Sequence, residues 1–493
     1  MENDKNQESF RDRISTVDDA GKRRWIYPKK PKGKLHNYRV LVAILLLIVL
    51  FGLPFTEMNG NQTLLLDIID RKFYIFGLVF TPQDTHIFAL ATVAFLVFII
   101  LFTFVFGRMF CGWVCPQTIF MEMVFRKIEY MIEGDARSQI KLNNGPWTIT
   151  KIFKKGLKHF VFAVLSIVII NLLMSYIVGS KRMIEMISSP INEHFGIFLA
   201  MAILSAIFYF VFAFFREQVC TNVCPYGRMQ GVLLVDDSII VQYDFARGEN
   251  RGSMKDRKNN ENPSPSLVER LSEDMVRAKQ NRGIDVNKWG DCIDCNQCVE
   301  VCPTGIDIRN GTQLECVNCT ACIDACNDVM KKMEKPLGLI RLDSFNGVIT
   351  GKDKLITKRG YAYIAVLVVI LTAFGIVFAA RTNVDAIILR TPGMTFIPVN
   401  ENEVSNLYNY KFINRANQDY SNLEIKLVGL DGEIEYIGGK IPVLKSLQRV
   451  SGSFFVKVSK TDLKGQSTPL RFEVYNNDEK LERKKSNFLG PIK

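Results

Sequence analysis

Five stretches of this chain, 40–56, 86–106, 160–180, 195–215 and 360–380, carry no charged side chain. At about 1.5 Å of rise per residue, each is long enough, or nearly so, to cross roughly 30 Å of hydrocarbon. Lipid offers no partner to a backbone N–H or C=O, so such a span is a helix with its hydrogen bonds closed internally. We expect five membrane helices. The first is the shortest and holds Pro54. A cleaved signal peptide also combines a basic flank with an apolar run, but no small-residue cleavage site follows Phe55 and a long polar leader precedes the run, which favours an anchor.

Between these stretches charge is dense. Lys and Arg number 62 against 50 Asp and Glu, a net +12 over 493 residues, yet mean hydropathy is +0.09. Apolar and charged residues therefore occupy separate blocks, and disorder of most of the chain is excluded. The basic residues follow the loops. Lys22, Arg23, Arg24, Lys29, Lys30, Lys32 and Lys34 precede the first span. Arg108, Arg126, Lys127, Arg137, Lys141, Lys151, Lys154, Lys155 and Lys158 lie between the second and third. The loops after the first and third spans hold only Arg71 with Lys72 and Lys181 with Arg182. By the positive-inside rule the N-terminus is cytoplasmic, as is 216–359, and everything after 381 is outside. The excess charge is thus a topology signal, and no nucleic-acid partner is expected.

The 12 cysteines end at Cys326. Residues 292–303 read CIDCNQCVEVCP and 316–327 read CVNCTACIDACN, so Cys-x2-Cys-x2-Cys-x3-Cys occurs twice. Three thiolates on a tight loop can grip three iron corners of a cubane, and the fourth cysteine turns to the neighbouring cluster. This assigns Cys292, Cys295, Cys298 and Cys326 to one 4Fe-4S cluster, and Cys316, Cys319, Cys322 and Cys302 to another. Paired zinc knuckles would instead use four ligands in two widely spaced Cys-x2-Cys pairs. Asn327 stands where the usual run has proline. A linker is expected over 247–265, followed by one helix from Ser266 to Arg282 carrying Leu267, Leu271, Met275 and Ala278 on its apolar stripe.

A second repeat follows the second and fourth spans: CGWVCP at 111–116 and CTNVCP at 220–225, each separated by four residues from an aromatic end, Phe106 or Phe215. If these segments are helical, i and i+4 put both sulfurs of a pair on one face, suited to a soft metal or a reducible disulfide. One such pair alone more often only packs; two equivalent copies beside a ferredoxin run point to chemistry. Met109, Met121, Met123 and Met229 are nearby, and packing is the safer role for them. His36, His86, His159 and His194 each sit at or just before the start of a span, which argues against an integral bis-His haem. Cys-x-x-Cys-His is absent, and no G-x-G-x-x-G follows a strand, so covalent haem and a bound dinucleotide are not expected.

From 396 to 476 the chain alternates apolar and polar residues between Asn, Asp, Gly and Pro, the pattern of a small antiparallel sandwich. It contains neither Cys nor His, so a contact role suits it better than a metal site.

This layout resembles the cytochrome c oxidase accessory protein family, the CcoG, FixG or RdxA type of membrane polyferredoxin: five membrane helices, two Cys-x3-Cys-Pro motifs, the doubled ferredoxin run and a C-terminal immunoglobulin-like domain. The resemblance implies a polytopic α-helical membrane protein of the bacterial inner membrane, with a cytoplasmic two-cluster ferredoxin-like α+β module and a periplasmic all-β immunoglobulin-like sandwich. The expected segments are 1–38 (basic, cytoplasmic), 39–246 (four membrane helices with both motifs), 247–288 (linker and helix), 289–335 (two-cluster module), 336–359 (connector), 360–380 (fifth helix) and 381–493 (sandwich). It further implies reduction of Cu(II) to Cu(I) in the maturation of a haem-copper oxidase, with Cys111, Cys115, Cys220 and Cys224 as copper or redox thiols. Expected partners are the lipid bilayer, oxidase assembly proteins or a copper transporter, an unidentified electron donor and a second copy of the chain. Two alternatives stay open: a quinol-oxidising polyferredoxin feeding a periplasmic reductase, and a non-enzymatic redox sensor.

Overall fold

A computed structural model describes residues 22–491, apart from 59, 69, 70, 82, 83, 191, 261, 270, 352–357, 381, 417, 447 and 464. Among the described residues, five helices are long and apolar enough to cross a membrane: Lys34–Phe55, Thr85–Phe106, Ile149–Val178, Phe195–Phe215 and Gly360–Ala379. Their outward residues are apolar, as lipid-facing positions must be: Leu41, Leu45 and Ile48 on the first, Val366, Val369 and Ile376 on the fifth. The chain divides into two compact units.

One unit comprises 1–52, 92–174 and 185–371. Within it, Phe125 stacks on Phe212 and meets Phe162 edge-on, both at 4.8 Å. This aromatic core lies beside a buried ion-pair network. Glu129 accepts from Arg216 at 2.8 and 3.1 Å and from Lys158 at 3.2 Å. Lys158 also reaches Glu133 at 2.8 Å, Arg126 pairs with Glu122, and Arg23 pairs with Glu217 at 3.3 Å. Several cations that count toward topology, Arg108, Arg126, Lys151 and Lys158, are therefore buried. The third helix starts at Ile149, well before its apolar window, and so His159 lies inside it rather than at its start, bonded to the Tyr209 hydroxyl at 2.9 Å.

The ferredoxin portion of this unit is built on a two-stranded antiparallel sheet, Ile240–Tyr243 with Ile340–Asp343. Val241, Ile323, Met330, Leu339, Ile340 and Val348 form its core. The stretch expected to be a linker is packed here: Asn250 is buried and donates to Val286 O at 2.8 Å, and Met254–Asn259 is a helix closed by a Ser253–Asp256 capping box. The single helix expected over 266–282 is two helices, Pro265–Val268 and Glu273–Asn281. Ser272, not Ser266, caps the longer one, accepting from Met275 N–H.

The other unit comprises 53–91, 175–184 and 372–493. After the first membrane helix it holds an antiparallel meander, Leu64–Asp67, Lys72–Ile75 and Leu78–Phe80, which sequence analysis did not anticipate. Its C-terminal part is a sandwich. One sheet orders Gly432–Tyr436, Arg449–Ser459, Glu403–Asn414 and Val384–Arg390, with Ile397–Pro398 also on Glu403–Asn414. The other orders Leu423–Val428, Ser467–Asn476 and Glu479–Leu489, and every pairing is antiparallel. Tyr408, Phe412, Phe454, Phe472 and Phe488 fill the space between them, all fully buried.

Candidate functional site

The two ferredoxin loops share one backbone design. Asp294 and Asn296, beside Cys295, have φ of 53° and 57°; Asn318 and Thr320, beside Cys319, have 51° and 63°. Left-handed residues at the same two places curl each loop so that successive N–H groups and sulfurs face one point, a concavity suited to an anionic group. Two cavities result. Cys292, Cys295, Cys298 and Cys326 line the first, with Tyr243 and Arg309. Cys302, Cys316, Cys319 and Cys322 line the second, with Val241, and Cys298 also borders it. The short helix Gln297–Glu300 leads toward Cys302, and the helix Ala321–Lys332 carries Cys322 and Cys326. Each fourth cysteine thus crosses to the other loop's cavity.

Burial dominates the thiols' electrostatics. It pushes Cys298, Cys316 and Cys326 up to about 12 and Cys319 up to about 11, and raises Cys322 far above the ordinary range. Thiolates there need a metal to displace their protons. Four sulfurs around each cavity, with Arg309 beside the first, fit an iron–sulfur cubane in donor number and chemistry. Of the eight, only Cys295 is exposed. Asn327 has a role of its own: its side-chain carbonyl accepts Gly338 N–H at 2.9 Å.

The membrane-edge motifs share a closing hydrogen bond as well as a spelling. Cys111 lies in the short α-helix Met109–Trp113 and Cys220 in the π-helical turn Val219–Val223. In each, the second cysteine's N–H bonds the carbonyl of the residue preceding the first: Cys115 to Phe110 at 3.0 Å, Cys224 to Val219 at 2.8 Å. That is a wide π-type closure, so the α-helical spacing expected between the two sulfurs is not what forms. The reason is the proline. Pro116 and Pro225 each open a new helix at its first position, where a missing N–H costs nothing. Proline also drives the preceding residue out of the helical region, and Cys115 and Cys224 sit at ψ of 124° and 112°.

These folds bring the two pairs together. Cys220 feels the charges of Cys115, Cys111 and Cys224, and Cys111 those of Cys115 and Cys224. Burial raises Cys111 and pushes Cys220 up to about 12, while Arg108 pulls both down. Arg108, itself buried, donates Nε to Gln230 Oε1 at 2.6 Å and Nη1 to Leu314 O. The quartet also abuts the second ferredoxin loop. A Cβ on Gly112 would lie 2.9 Å from Asn318 O and closer still to Val317 O, so only glycine allows this approach. Gly112 O accepts from Arg39 Nε at 2.7 Å. Arg39 is buried on the first membrane helix and lowers Cys319 electrostatically. Sequence analysis missed Arg39, Arg108 and Gln230. The only signal was an arginine abutting an apolar run or a cysteine motif.

Comparison with known proteins agrees with this geometry. Residues 215–345 match the 4Fe-4S dicluster domain family, 88–130 a 4Fe-4S binding domain, and 374–491 the IG-like fold at the C-terminus of FixG. The chain is 30% identical to nitrogen fixation protein FixG of Rhizobium meliloti (strain 1021) over 326 residues, 65% of this chain and 57% of FixG. It is 29% identical to protein RdxA of Cereibacter sphaeroides over 420 residues, 83% of this chain and 80% of RdxA. With protein RdxB of that organism it shares 32% over 324 residues, 65% of this chain and 62% of RdxB. The chain is similar to the FixG-type membrane ferredoxins. Its match thus spans under two thirds of FixG and RdxB and most of RdxA. The crystal structure of the FixG-related protein from Vibrio parahaemolyticus aligns with 22% of this chain and 97% of its own, at 18% identity and a TM-score of 0.19. With five helices long and apolar enough to span a bilayer, the chain is a membrane protein that carries 4Fe-4S-binding domains, and its C-terminal sandwich matches the IG-like fold at the C-terminus of FixG.

Proposed function

We propose that this chain is a membrane-bound electron-transfer protein that reduces Cu(II) to Cu(I) during maturation of a haem-copper cytochrome c oxidase. The observation that carries the electron-transfer reading is the contact of Gly112 with the Val317–Asn318 backbone. It sets the membrane-edge thiols directly against the loop of Cys316 and Cys319, so thiol sites follow one another from exposed Cys295 to the ends of the second and fourth membrane helices.

The first ferredoxin cavity, with Cys292, Cys295, Cys298 and Cys326, and the second, with Cys302, Cys316, Cys319 and Cys322, would each hold one 4Fe-4S cluster, which supplies electrons singly. Cys295 marks the face where a soluble donor docks. Buried Arg309, ion-paired to Asp294 at 2.5 Å and to Asp307 at 2.7 Å, fixes the first loop. At the other end, Cys111, Cys115, Cys220 and Cys224 form the exit. Cu(II) takes one electron there, and soft sulfur surroundings favour the Cu(I) product. The loop charges support a cytoplasmic ferredoxin module and N-terminus and a periplasmic sandwich in the bacterial inner membrane. The sandwich has no Cys or His, which suits contact with oxidase assembly proteins, a copper transporter or a second copy of the chain.

The test is cupric reduction by purified protein given an artificial reductant, with Cu(I) trapped by a colorimetric chelator. Serine at both Cys111 and Cys220 is expected to abolish reduction while the iron of the ferredoxin module stays in place. Undiminished reduction in that variant removes these thiols from the path.

A further inference from the structure

Eight of the 12 cysteines line the two ferredoxin cavities, which leaves four thiols that nothing so far assigns to a resident group. We propose that Cys111, Cys115, Cys220 and Cys224 together hold a third iron–sulfur cluster, completed only when the two Cys-x3-Cys-Pro motifs meet. The inference rests on the iron–sulfur part of the function proposed above and takes the place of direct copper ligation by these thiols, so that Cu(II) would draw its electron from the cluster they hold.

The donor set is the first support. The groups that act most strongly on Cys111 and Cys220 are the other thiols of the quartet and Arg108, with the Gln230 side chain beside Cys111. Four sulfurs as the ligand set select the softest metals and iron–sulfur centres.

Close approach is the second. A Cβ on Gly227 would lie 2.6 Å from Arg108 Nη2 and closer still to Cys220 O, so the backbone of the second motif packs against the arginine that precedes the first.

A third support is a buried donor with nothing to bond. Gln230 is fully buried; its Oε1 accepts from Arg108 Nε at 2.6 Å and stands 3.5 Å from Cys111 Sγ, while its Nε2 has no partner. A buried amide N–H without an acceptor is costly. Sulfur of a bound cluster beside Cys111 supplies the acceptor, and the Arg108 guanidinium offsets the negative charge of four thiolates.

The family matches add an arithmetic point. The 4Fe-4S binding domain over 88–130 includes only Cys111 and Cys115, half of what a cubane takes. The dicluster domain over 215–345 includes Cys220 and Cys224 beyond the eight that its two clusters use. The fold joins the shortfall to the surplus.

The experiment counts iron and acid-labile sulfide in the full chain, purified anaerobically in detergent and reconstituted with iron and sulfide. About twelve of each per chain are expected, about four per set of four cysteines. The Cys111→Ser/Cys220→Ser variant should fall to about eight, with the EPR signals of the ferredoxin module unchanged. The reciprocal variant, Cys295→Ser/Cys319→Ser, should keep a cubane signal that disappears when Cys111 and Cys220 are also changed, so the inference does not depend on one variant folding. About eight iron in the parent chain, unaltered by Cys111→Ser/Cys220→Ser, overturns it, as does stoichiometric copper or zinc at the quartet. Because no copper is added, the count stands whether or not the chain reduces Cu(II).

Discussion

Asp324, between Cys322 and Cys326 on the same helix, accepts the backbone N–H groups of Leu35 at 3.3 Å and His36 at 2.8 Å. A carboxylate from the ferredoxin module thereby caps the first membrane helix, where free N–H groups and the helix dipole both favour negative charge. Gly33, with φ of +144°, is pressed against the same side chain and has no room for a Cβ. Asp324→Ala should cost about 1 to 2 kcal/mol of stability, and Asp324→Asn much less, since it keeps an acceptor. The readout is the thermal unfolding midpoint in detergent together with protease cleavage near residue 33; equal midpoints for Ala and Asn would refute the cap.

Gly112→Ala drives a methyl group into the Val317 and Asn318 carbonyls, which are backbone and cannot swing aside. Overpacking of this kind costs about 1 to 3 kcal/mol. It should also displace the loop of Cys316 and Cys319, altering the EPR line shape of the group held there while iron content is retained. A line shape identical to the parent chain would show that the contact is dispensable.

Glu129 gives the chain an acid limit. Burial would raise its carboxyl, but Arg216, bonded through two nitrogens, and Lys158 outweigh burial and hold it at about 2, against an ordinary 4.5. A depressed carboxyl stabilises the folded chain above the unfolded value, and that contribution fades as pH falls from 4.5 toward 2. Stability in detergent should drop through this window. Glu129→Gln should flatten the drop and cost about 3 kcal/mol at neutral pH, because buried Arg216 loses its counter-charge. An unchanged pH profile would assign acid lability to other carboxylates.

Asn327 occupies the position of the usual proline, and restoring the proline should harm the protein. It lies within the helix Ala321–Lys332, where proline costs about 3 kcal/mol or more. Asn327→Pro also strands Gly338 N–H. Asn327→Ala, which removes only the side-chain bond, should cost about 1 kcal/mol. Chemical unfolding of the reconstituted chain ranks the three proteins; a proline variant as stable as the parent would contradict this.

The membrane helices were legible because a long apolar run in lipid has one way to satisfy its backbone, and all five appear, although the first and third begin earlier than expected, at Lys34 and Ile149. The ferredoxin loops were legible because cysteine spacing encodes ligand geometry directly. Local rules failed where a competing local signal won. The helix expected over 266–282 breaks because Ser272 makes a better cap than Ser266 within a run that starts at Pro265. The α-helical reading of Cys111 to Cys115 breaks because Pro116 begins its own helix. Long-range partners left no trace: Arg39 donates to Gly112 across 73 positions and Arg108 to Gln230 across 122, and no periodicity encodes such pairings. Gln242 and Asn250, polar and fully enclosed, likewise read as loop residues until the fold surrounds them.

The bond from His36 to Asp324 joins positions 288 apart. A ribosome feeding a membrane translocon delivers the first span to lipid long before it has synthesised residue 324. The leading turn of that span must therefore wait, hydrated at the bilayer surface, until the cysteine-bearing helix emerges and docks. Biogenesis of the oldest part of the chain finishes only when one of its later parts is in place.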